Sequence, residues 1–368
     1  MRSRPVVLVA SPSLDAISGV TTHALSLIAS PLQSSFELIH FQVGSEGRAE
    51  SRPAMLARLA ASPFVLAGAI LRYGVDIVHL NTSLNPKAFW RDAAYAAVAK
   101  LLGARVVLQK HGGSLEQFAK DASPFLVRAA LRLADAVAVL SRAEVKSFSA
   151  FVPGQAIVLL PNGIDVSLFR KKGSERKNDA TLRLIYVGRL AARKGLEEIV
   201  EGLALARGRG LAARLTICGG GPLEEALRER VQALGAQEAV EFAGATYGEE
   251  KARRLAEADV LLLPSHSEGL PYAVLEGMAA SAVPVVTPVG ALPDVIEEGV
   301  HGLFVPIGDA AAIAVALERL AADRERLARM AGAARRRVSS GYSLERLAFD
   351  AGSMYSALLP GRAPKTIL

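Results

Sequence analysis

The sequence predicts an α/β fold in two domains, each built on a parallel sheet flanked by helices. The chain has 368 residues, more than a single domain usually contains. Short apolar runs alternate with longer helical patterns along the chain, as expected for strand–helix–strand crossovers. Apolar residues make up 51% of the chain and aromatic residues 5%, which suits buried parallel strands covered by Ala- and Leu-rich helices.

The first half contains six apolar runs that we interpret as strands. These predicted strands are residues 5–10, 37–41, 76–80, 105–109, 136–140 and 157–160. Between them, the clearest helical patterns are residues 20–29, 87–102 and 123–134. We expect no membrane span, because the nearest candidate, residues 54–71, is interrupted by Arg58 and Pro63.

A second series of strands follows a charged segment. The predicted strands are residues 182–187, 214–218, 239–242, 260–263 and 283–287. Residues 166–180 include KKGSERKND and have no apolar period, so they are predicted to link the two domains. Residues 343–359 form one amphipathic pattern that predicts a final helix.

Charge and cysteine content limit the partners and the location. The net charge is +7, and residues 1–170 carry most of it, with 17 Lys and Arg against 11 Asp and Glu. A basic first half favours nucleotides, nucleic acid or an anionic membrane, although an ordinary basic surface accounts for it equally well. One tryptophan and few other aromatic residues offer no platform for stacked bases, so we expect no nucleic acid. The single cysteine, Cys218, is expected to be a buried thiol in a cytoplasmic protein.

The most informative pattern lies at residues 264–279, PSHSEGLPYAVLEGMA. It follows a predicted strand, and its second proline is expected to open a helix. Glu268 would lie on the loop, and Glu276 one to two turns into the helix. Two carboxylates beside the N–H groups of Gly269 and Leu270 suit a polyhydroxylated ligand. An exposed loop acid with a solvated helix acid is the equally weighted alternative.

Other strand ends carry residues suited to a phosphate or a sugar. YVGRLAARKG places Arg189 and Lys194 on one turn, and two such cations suit a diphosphate, with a solvated basic loop as the alternative. His111 precedes two glycines, and a satisfied structural histidine is its alternative. Gly19 precedes a predicted helix whose N-terminus favours anions, and a simple turn explains it about as well. His23 is expected on a helix surface.

Together these motifs resemble the retaining, GT-B-fold glycosyltransferases of family 4 over essentially the whole chain. The pattern comprises E-x7-E in SEGLPYAVLEGMA, GRL-x-x-RKG, HGG, PNGID at residues 161–165 and EEGVHGLFVP at residues 297–306. The resemblance implies two facing Rossmann-like domains, with the last helix crossing back to the first. An acceptor-binding domain would comprise residues 1–165 and 343–368, and a nucleotide-sugar-binding domain residues 166–342.

The resemblance also implies how the donor is held. Glu276 would accept hydrogen bonds from the ribose hydroxyls. Glu268, with the amides of Gly269 and Leu270, would hold the transferred sugar.

Further implied roles concern the diphosphate and the reaction. Arg189 and Lys194 would stabilise the leaving group, Gly19 would approach it, and His111 would lie near the sugar and the acceptor. Many relatives have a second glycine where this chain has Ser18. No Asp-x-Asp sequence occurs, so neither a metal nor another cofactor is expected. The family implies retention, and we favour a front-face route because no carboxylate nucleophile is identifiable.

The expected function is transfer of a hexose-type sugar from a nucleotide diphosphate sugar to a glycan or lipid-linked hydroxyl, in cell-surface polysaccharide or glycolipid synthesis. A UDP-sugar is the favoured donor, with GDP-mannose as the alternative. Alternative functions are a GT-B-fold sugar-nucleotide epimerase and a catalytically silent nucleotide-binding subunit. An anionic membrane surface is a further expected partner, because the first half carries arginines among apolar residues. Ordinary solvated positions on helices account for these arginines equally well. They are Arg52, Arg58, Arg72, Arg128 and Arg132.

Overall fold

The computed structural model describes residues 4–45, 50–169 and 181–359, and the chain divides into two compact units. The first unit comprises Met1–Gly163 and Leu344–Leu368, and the second comprises Ile164–Ser343. The predicted linker is therefore wrong in its first part. Val166–Phe169 form a 3₁₀ turn of the second unit, anchored by the buried Phe169. The rest of that segment, residues 170–180, lies outside the described residues.

The first unit is built on a six-stranded parallel sheet in the order β2-β1-β3-β4-β5-β6. Its strands are β1 (Val6–Ser11), β2 (Glu37–Gln42), β3 (Ile77–Thr82), β4 (Arg105–Lys110), β5 (Ala136–Val139) and β6 (Ile157–Leu159). Its first six helices are α1 (Gly19–Ala29), α2 (Arg52–Tyr73), α3 (Pro86–Leu101), α4 (Leu115–Ala122), α5 (Pro124–Leu131) and α6 (Arg142–Phe151). Each predicted strand of this half is present.

Alternate residues of the strands enter two separate cores, because successive side chains point to opposite faces of the sheet. Val6 and Leu8 face the core formed with α2 to α6. Val7 and Val9 face the core formed with α1 and the last helix of the chain. Helices on both faces explain why the strands read as continuous apolar runs.

Helix α2 continues through Pro63, so the predicted interruption is wrong. A proline within a helix removes one N–H donor, which here would bond to the carbonyl of Leu59. The hydroxyl of Ser62 donates to that carbonyl instead, at 2.9 Å. Among the described helices, α2 alone is long and apolar enough to cross a membrane, judged by length and composition only.

The second unit repeats the architecture, with a six-stranded parallel sheet in the order β12-β11-β10-β7-β8-β9. Its strands are β7 (Leu182–Val187), β8 (Ala213–Cys218), β9 (Val240–Gly244), β10 (Val260–Leu263), β11 (Val283–Val286) and β12 (Leu303–Phe304). Its helices are α7 (Leu196–Gly208), α8 (Glu224–Ala233), α9 (Gly248–Glu257), α10 (Tyr272–Ala279), α11 (Leu292–Val295), α12 (Ala310–Ala322) and α13 (Arg324–Gly341). Among the described strands of this unit, only the two-residue β12 was not predicted from the sequence.

The last helix, α14 (Leu344–Leu358), packs in the first unit beside α1, as the resemblance implied. Its Tyr355 is fully buried and forms a hydrogen bond with Nδ1 of His79 on β3. The same ring packs edge-on against Phe36, with 5.4 Å between centroids. The end of the chain thus completes the core of the unit in which the chain began.

The strand order reverses at one point in each sheet. The reversal lies between β1 and β3 in the first unit and between β7 and β10 in the second. In open parallel sheets, ligands bind beyond the carboxyl ends of the strands at such a switch point. The loops that follow these four strands are therefore where a site is expected.

Candidate functional site

In the second unit, the loops after β7 and β10 meet through an ion pair. The ammonium of Lys194 lies 2.6 Å from a carboxylate oxygen of Glu268. The backbone joins the same loops, because the N–H of His266 donates to the carbonyl of Arg193 at 2.9 Å. Arg193 has a φ of +68°, in the left-handed region that non-glycine residues rarely adopt. Lys194 and Glu268, which belong to separate sequence motifs, are therefore in contact at the switch point.

Two glycines allow neighbouring loops to pack closely on the loop after β10, Gly195 from the loop after β7 and Gly290 from the loop after β11. A Cβ on Gly195 would lie 2.3 Å from the carbonyl oxygen of Pro264. A Cβ on Gly290 would lie 2.2 Å from the carbonyl oxygen of Glu268, and the φ of Gly290 is +59°. No side chain fits at such distances, so both positions require glycine. Gly290 was not predicted, because it lies outside the motifs found in the sequence.

Glu276 is buried on α10, and a cation from the neighbouring helix neutralises it. The ammonium of Lys251 on α9 lies 2.6 Å from its Oε1. A carboxylate with 7% of its side chain exposed needs such a partner, because burying an unpaired charge is costly. The solvated alternative for Glu276 is wrong. Lys251 was missed, since nothing in EEKARR distinguishes it from an ordinary surface lysine.

Arg189 and Lys194, the two cations predicted to suit a diphosphate, have different surroundings. Lys194 is engaged by Glu268, whereas Arg189 is exposed and makes no ion pair within the described part of the chain. The Arg189 carbonyl accepts a hydrogen bond from the hydroxyl of Tyr186 at 2.9 Å. Burial, reinforced by the charge of Glu268, raises the pKa of Tyr186, so this hydroxyl stays protonated. The turn is thus fixed while the guanidinium reaches into solvent.

Gly269 and Leu270 connect Glu268 to α10. The carbonyl of Gly269 accepts a hydrogen bond from the N–H of Ala291 at 2.8 Å. Pro271 caps the helix and Tyr272 is its first residue, so the proline lies just before the helix and not within it. That the two amides bind a ligand stays a prediction.

The CGGGP segment, residues 218–222, connects β8 to α8, which begins at Glu224. A Cβ on Gly219 would lie 1.8 Å from the carbonyl oxygen of Gly188, and one on Gly221 would lie 2.3 Å from that of Leu190. These glycines allow the turn to pack on the loop that carries Arg189. Cys218, the first residue of this segment and the last of β8, is buried, and burial raises the pKa of its thiol.

In the first unit, His111 follows β4 and is oriented by a polar chain. Asn81 donates through Nδ2 to the carbonyl of Ala10 at 3.1 Å, which turns its Oδ1 toward Nε2 of His111, 2.8 Å away. Because an amide oxygen only accepts, we assign the ring proton to Nε2 and the lone pair to Nδ1. Gly113 has a φ of +85° and packs against Leu84, which explains the second glycine of HGG.

His111 belongs to a cluster of three histidines that stay neutral at pH 7. The ring of His23 lies 4.7 Å from that of His111, and His79 lies 6.4 Å from His23. Burial, and then the proximity of His23, His79 and Lys110, lowers the pKa of His111 well below its usual value. Burial also lowers the pKa of His23 to about 4. The surface position expected for His23 is wrong, because α1 packs it fully into the unit.

Gly19 is the first residue of α1, and Ser18 caps that helix by accepting a hydrogen bond from the N–H of Thr21 at 3.2 Å. A Cβ on Gly19 would meet no protein atom within 4 Å, and its φ is not left-handed. The folded unit therefore does not itself require glycine at this position.

Two family models match consecutive parts of the chain. The model described as Glycosyltransferase Family 4 matches residues 18–168, and the one described as Glycosyl transferases group 1 matches residues 169–337. A GDP-mannose-dependent alpha-(1-6)-phosphatidylinositol monomannoside mannosyltransferase of Mycobacterium tuberculosis is 30% identical over 275 residues, which cover 70% of this chain and 71% of the relative. The chain belongs to the group 1, family 4 glycosyltransferases.

Other family members align over a shorter part. The putative colanic acid biosynthesis glycosyltransferase WcaL of Escherichia coli is 32% identical over 217 residues, 56% of this chain and 52% of the relative. WcaL of Salmonella typhimurium is 32% identical over 199 residues, 52% of this chain and 48% of the relative. The chain thus spans about half the length of these curated relatives.

Solved structures confirm the GT-B fold. Sucrose-phosphate synthase from Thermosynechococcus elongatus superposes with a TM-score of 0.77 at 21% identity, covering 96% of this chain and 99% of the other. HepE from Anabaena, solved with UDP and glucose, superposes with a TM-score of 0.75 at 17% identity, covering 96% and 100%. At these identities, the likeness establishes the fold alone.

Proposed function

We propose that this chain transfers a hexose-type sugar from a nucleotide diphosphate sugar to a hydroxyl of a polysaccharide or glycolipid acceptor, with retention of configuration and without a metal. The observation that carries the proposal is the Lys194–Glu268 pair at the β7/β10 switch point, with the buried carboxylate of Glu276 on the following helix. Both carboxylates of the E-x7-E motif are held by lysines instead of being solvated.

The donor would replace both ion pairs in part. Ribose hydroxyls would donate to Glu276 and compete with Lys251 for its oxygens. The diphosphate would draw Lys194 from Glu268, whose carboxylate then accepts from hydroxyls of the sugar. The exposed guanidinium of Arg189 would provide the second positive charge. A Cβ on Gly19 would meet no protein atom, which supports a role for this glycine in leaving room for a ligand. A ligand that approaches the N-terminus of a helix would be an anion, such as the diphosphate.

The reaction would follow a front-face route. The bond from the anomeric carbon to the diphosphate oxygen breaks while the acceptor oxygen bonds on the same face. The leaving phosphate takes the acceptor proton, so the products are a glycoside and a nucleoside diphosphate. Lys194 and Arg189 would stabilise the charge that develops on the phosphate. The lone pair on Nδ1 of neutral His111 would accept a hydrogen bond from a substrate hydroxyl.

The donor base and the acceptor class are finer parts of this proposal. We favour a UDP-sugar, with GDP-mannose as the alternative that the name of the mycobacterial mannosyltransferase suggests. The relatives named for colanic acid synthesis and for phosphatidylinositol mannoside synthesis support a surface polysaccharide or a lipid-linked acceptor. Such synthesis would place the protein at the cytoplasmic face of a membrane.

Calorimetric titration with UDP and with GDP, in EDTA, tests the proposal. We expect one nucleotide to bind the wild-type protein. Glu268→Gln should retain most of that affinity, because Glu268 is assigned to the sugar, and should lose affinity for the intact nucleotide sugar. Glu257→Gln, a half-exposed glutamate on α9, is the matched control and should bind both ligands normally. Failure of both nucleotides to bind the wild-type protein would refute the proposal.

A further inference from the structure

The outward face of α2 has the wrong composition for contact with water. Between its first residue and Arg72 the helix contains one charged residue, Arg58, and no acid. A surface helix of a globular domain normally directs charged and polar side chains outward. Here the large exposed side chains are apolar, and Phe64 and Leu71 are 79% and 69% exposed. The others on α2 are Leu56, Leu59, Val65 and Tyr73.

The one charge within this face is neutralised by the unit itself. The guanidinium of Arg58 binds both carboxylate oxygens of Glu50, with Nε donating to Oε2 at 2.9 Å and Nη2 to Oε1 at 2.5 Å. Only a narrow stripe of the helix, Ser62, Leu66 and Ile70, is buried against the sheet. Among the described residues, no element of the unit covers the face that carries Phe64 and Leu71, and the large side chains exposed on this face are apolar.

Cations stand at both ends of the apolar face. Arg52 and Arg72 are exposed, and neither forms an ion pair with a residue that the structure describes. Two other arginines expected to meet a membrane form hydrogen bonds within the unit. Arg58 binds Glu50, and Arg128 donates to the carbonyl of Phe151 at 2.8 Å. The fifth arginine, Arg132, is exposed at the end of α5 and not on α2. The positive charge of Arg52 and Arg72 thus flanks the apolar face, as in helices that lie on anionic lipid surfaces.

The topology determines how α2 meets a bilayer. The strands before and after it, β2 and β3, both pair with β1, so the two ends of the helix return to one sheet. A helix whose ends and buried stripe are fixed to a folded domain cannot cross a membrane. Its 22 residues extend about 33 Å along the surface of the unit. In this orientation the exposed face can lie flat at the headgroup level.

We infer that α2 docks the first unit on an anionic membrane, with Phe64 and Leu71 inserted among the acyl chains and Arg52 and Arg72 at the lipid phosphates. Apolar insertion and two interfacial cations are the two signals that reversible surface binding combines. The inference goes beyond the proposed transfer reaction, because it rests on the composition of α2 and not on the donor site. It would bring a lipid-linked acceptor to the enzyme.

The test is co-sedimentation of the full chain with vesicles of equal phosphatidylglycerol and phosphatidylcholine, or of phosphatidylcholine alone. We expect binding to the anionic vesicles that weakens as salt is raised. Phe64→Glu with Leu71→Glu should lower the partition coefficient about tenfold or more, which corresponds to about 1.4 kcal/mol. The matched control is Leu205→Glu with Val315→Glu, at exposed apolar positions of the second unit, and should bind like the wild type.

A second pair of variants separates charge from insertion. Arg52→Gln with Arg72→Gln should weaken anionic binding and flatten its salt dependence. Phe64→Trp in a Trp90→Phe background should show a blue-shifted emission on vesicles and quenching by lipids brominated near the headgroup. Quenching only at the bilayer centre would contradict an in-plane helix.

Other outcomes overturn the inference. One is that the wild-type protein does not bind anionic vesicles. Another is that the Phe64→Glu, Leu71→Glu protein binds them as well as the wild type does. Light scattering that shows a dimer abolished by Phe64→Glu, without vesicle binding, would make the face a protein interface. Titration of the same variants with UDP and GDP keeps the questions separate. Normal nucleotide binding is expected in all of them, and its absence from the wild type would refute the proposed function alone.

Discussion

The pair formed by Lys251 and Glu276 gives the sharpest test of the donor site, because it predicts unequal effects of two mutations in one contact. Their charged atoms are 2.6 Å apart, and the side chains are 24% and 7% exposed. Glu276→Gln removes the charge that should accept from the ribose hydroxyls while keeping the side-chain shape. Hydrogen bonds to charged groups contribute about 1.5–3 kcal/mol. Nucleotide binding should therefore weaken about 10- to 150-fold.

Lys251→Met should affect binding far less, since the carboxylate remains to accept from ribose. It should lower the stability of the free protein instead, because it leaves a largely buried carboxylate without its cation. A double-mutant cycle in urea measures the coupling between the two side chains. This coupling should fall when nucleotide saturates the site, since ribose then takes over part of Glu276.

Calorimetry gives the affinities, with Glu257→Gln as the control for loss of a glutamate nearby. A Glu276→Gln protein that binds nucleotide within about twofold of the wild type would contradict the role of Glu276. A larger loss of binding in Lys251→Met would make the lysine the ligand-binding group instead.

Three further predictions concern the first unit. Gly19→Ala should leave the melting temperature unchanged and lower donor turnover, because a Cβ there meets no protein atom but would meet a bound diphosphate; unchanged turnover would remove Gly19 from the site. Tyr355→Phe should lower the unfolding free energy by about 1–3 kcal/mol, since it leaves Nδ1 of the buried His79 without its partner, and an unchanged urea midpoint would contradict this. Burial lowers the pKa of His23 to about 4 and that of His79 to about 3, below the 6.5 of the unfolded chain. The stability of the unit is thus complete above pH 6.5 and falls toward pH 4, by about 2 kcal/mol per histidine between pH 7 and 5. Urea titrations should show this slope, and His23→Gln should reduce it.

Much of the fold followed from the sequence because both sheets are parallel and covered on both faces. Such strands are short apolar runs that stand out between helices, and β7 and β10 were predicted at their observed bounds. The two-residue β12 is too short to leave a pattern. The continuity of α2 was missed because a proline normally ends a helix, whereas here the hydroxyl of Ser62 replaces the lost donor.

Residues of the candidate site could be predicted where a sequence motif contains them. They could not be predicted where only a tertiary contact brings them to the site. Glu268, Glu276 and Lys194 were found from E-x7-E and RKG. Lys251 reaches Glu276 from another helix, a pairing that no local pattern encodes.

The burial of His23 was missed for the same kind of reason. The last helix of the chain shares the core beside α1, and distant residues decide which side of α1 meets solvent. The one-dimensional pattern of α1 does not contain that information.

The most direct test of the central claim is to follow the anomeric carbon by NMR. The full chain would be incubated in EDTA with a membrane lipid extract and, separately, UDP-glucose or GDP-mannose labelled with ¹³C at C1. The proposal predicts that one donor is consumed, with release of its nucleoside diphosphate and formation of an α-linked product. A β-linked product would contradict retention. Conversion of the donor to another nucleotide sugar without release of nucleotide, or no turnover of either donor, would contradict the transferase itself.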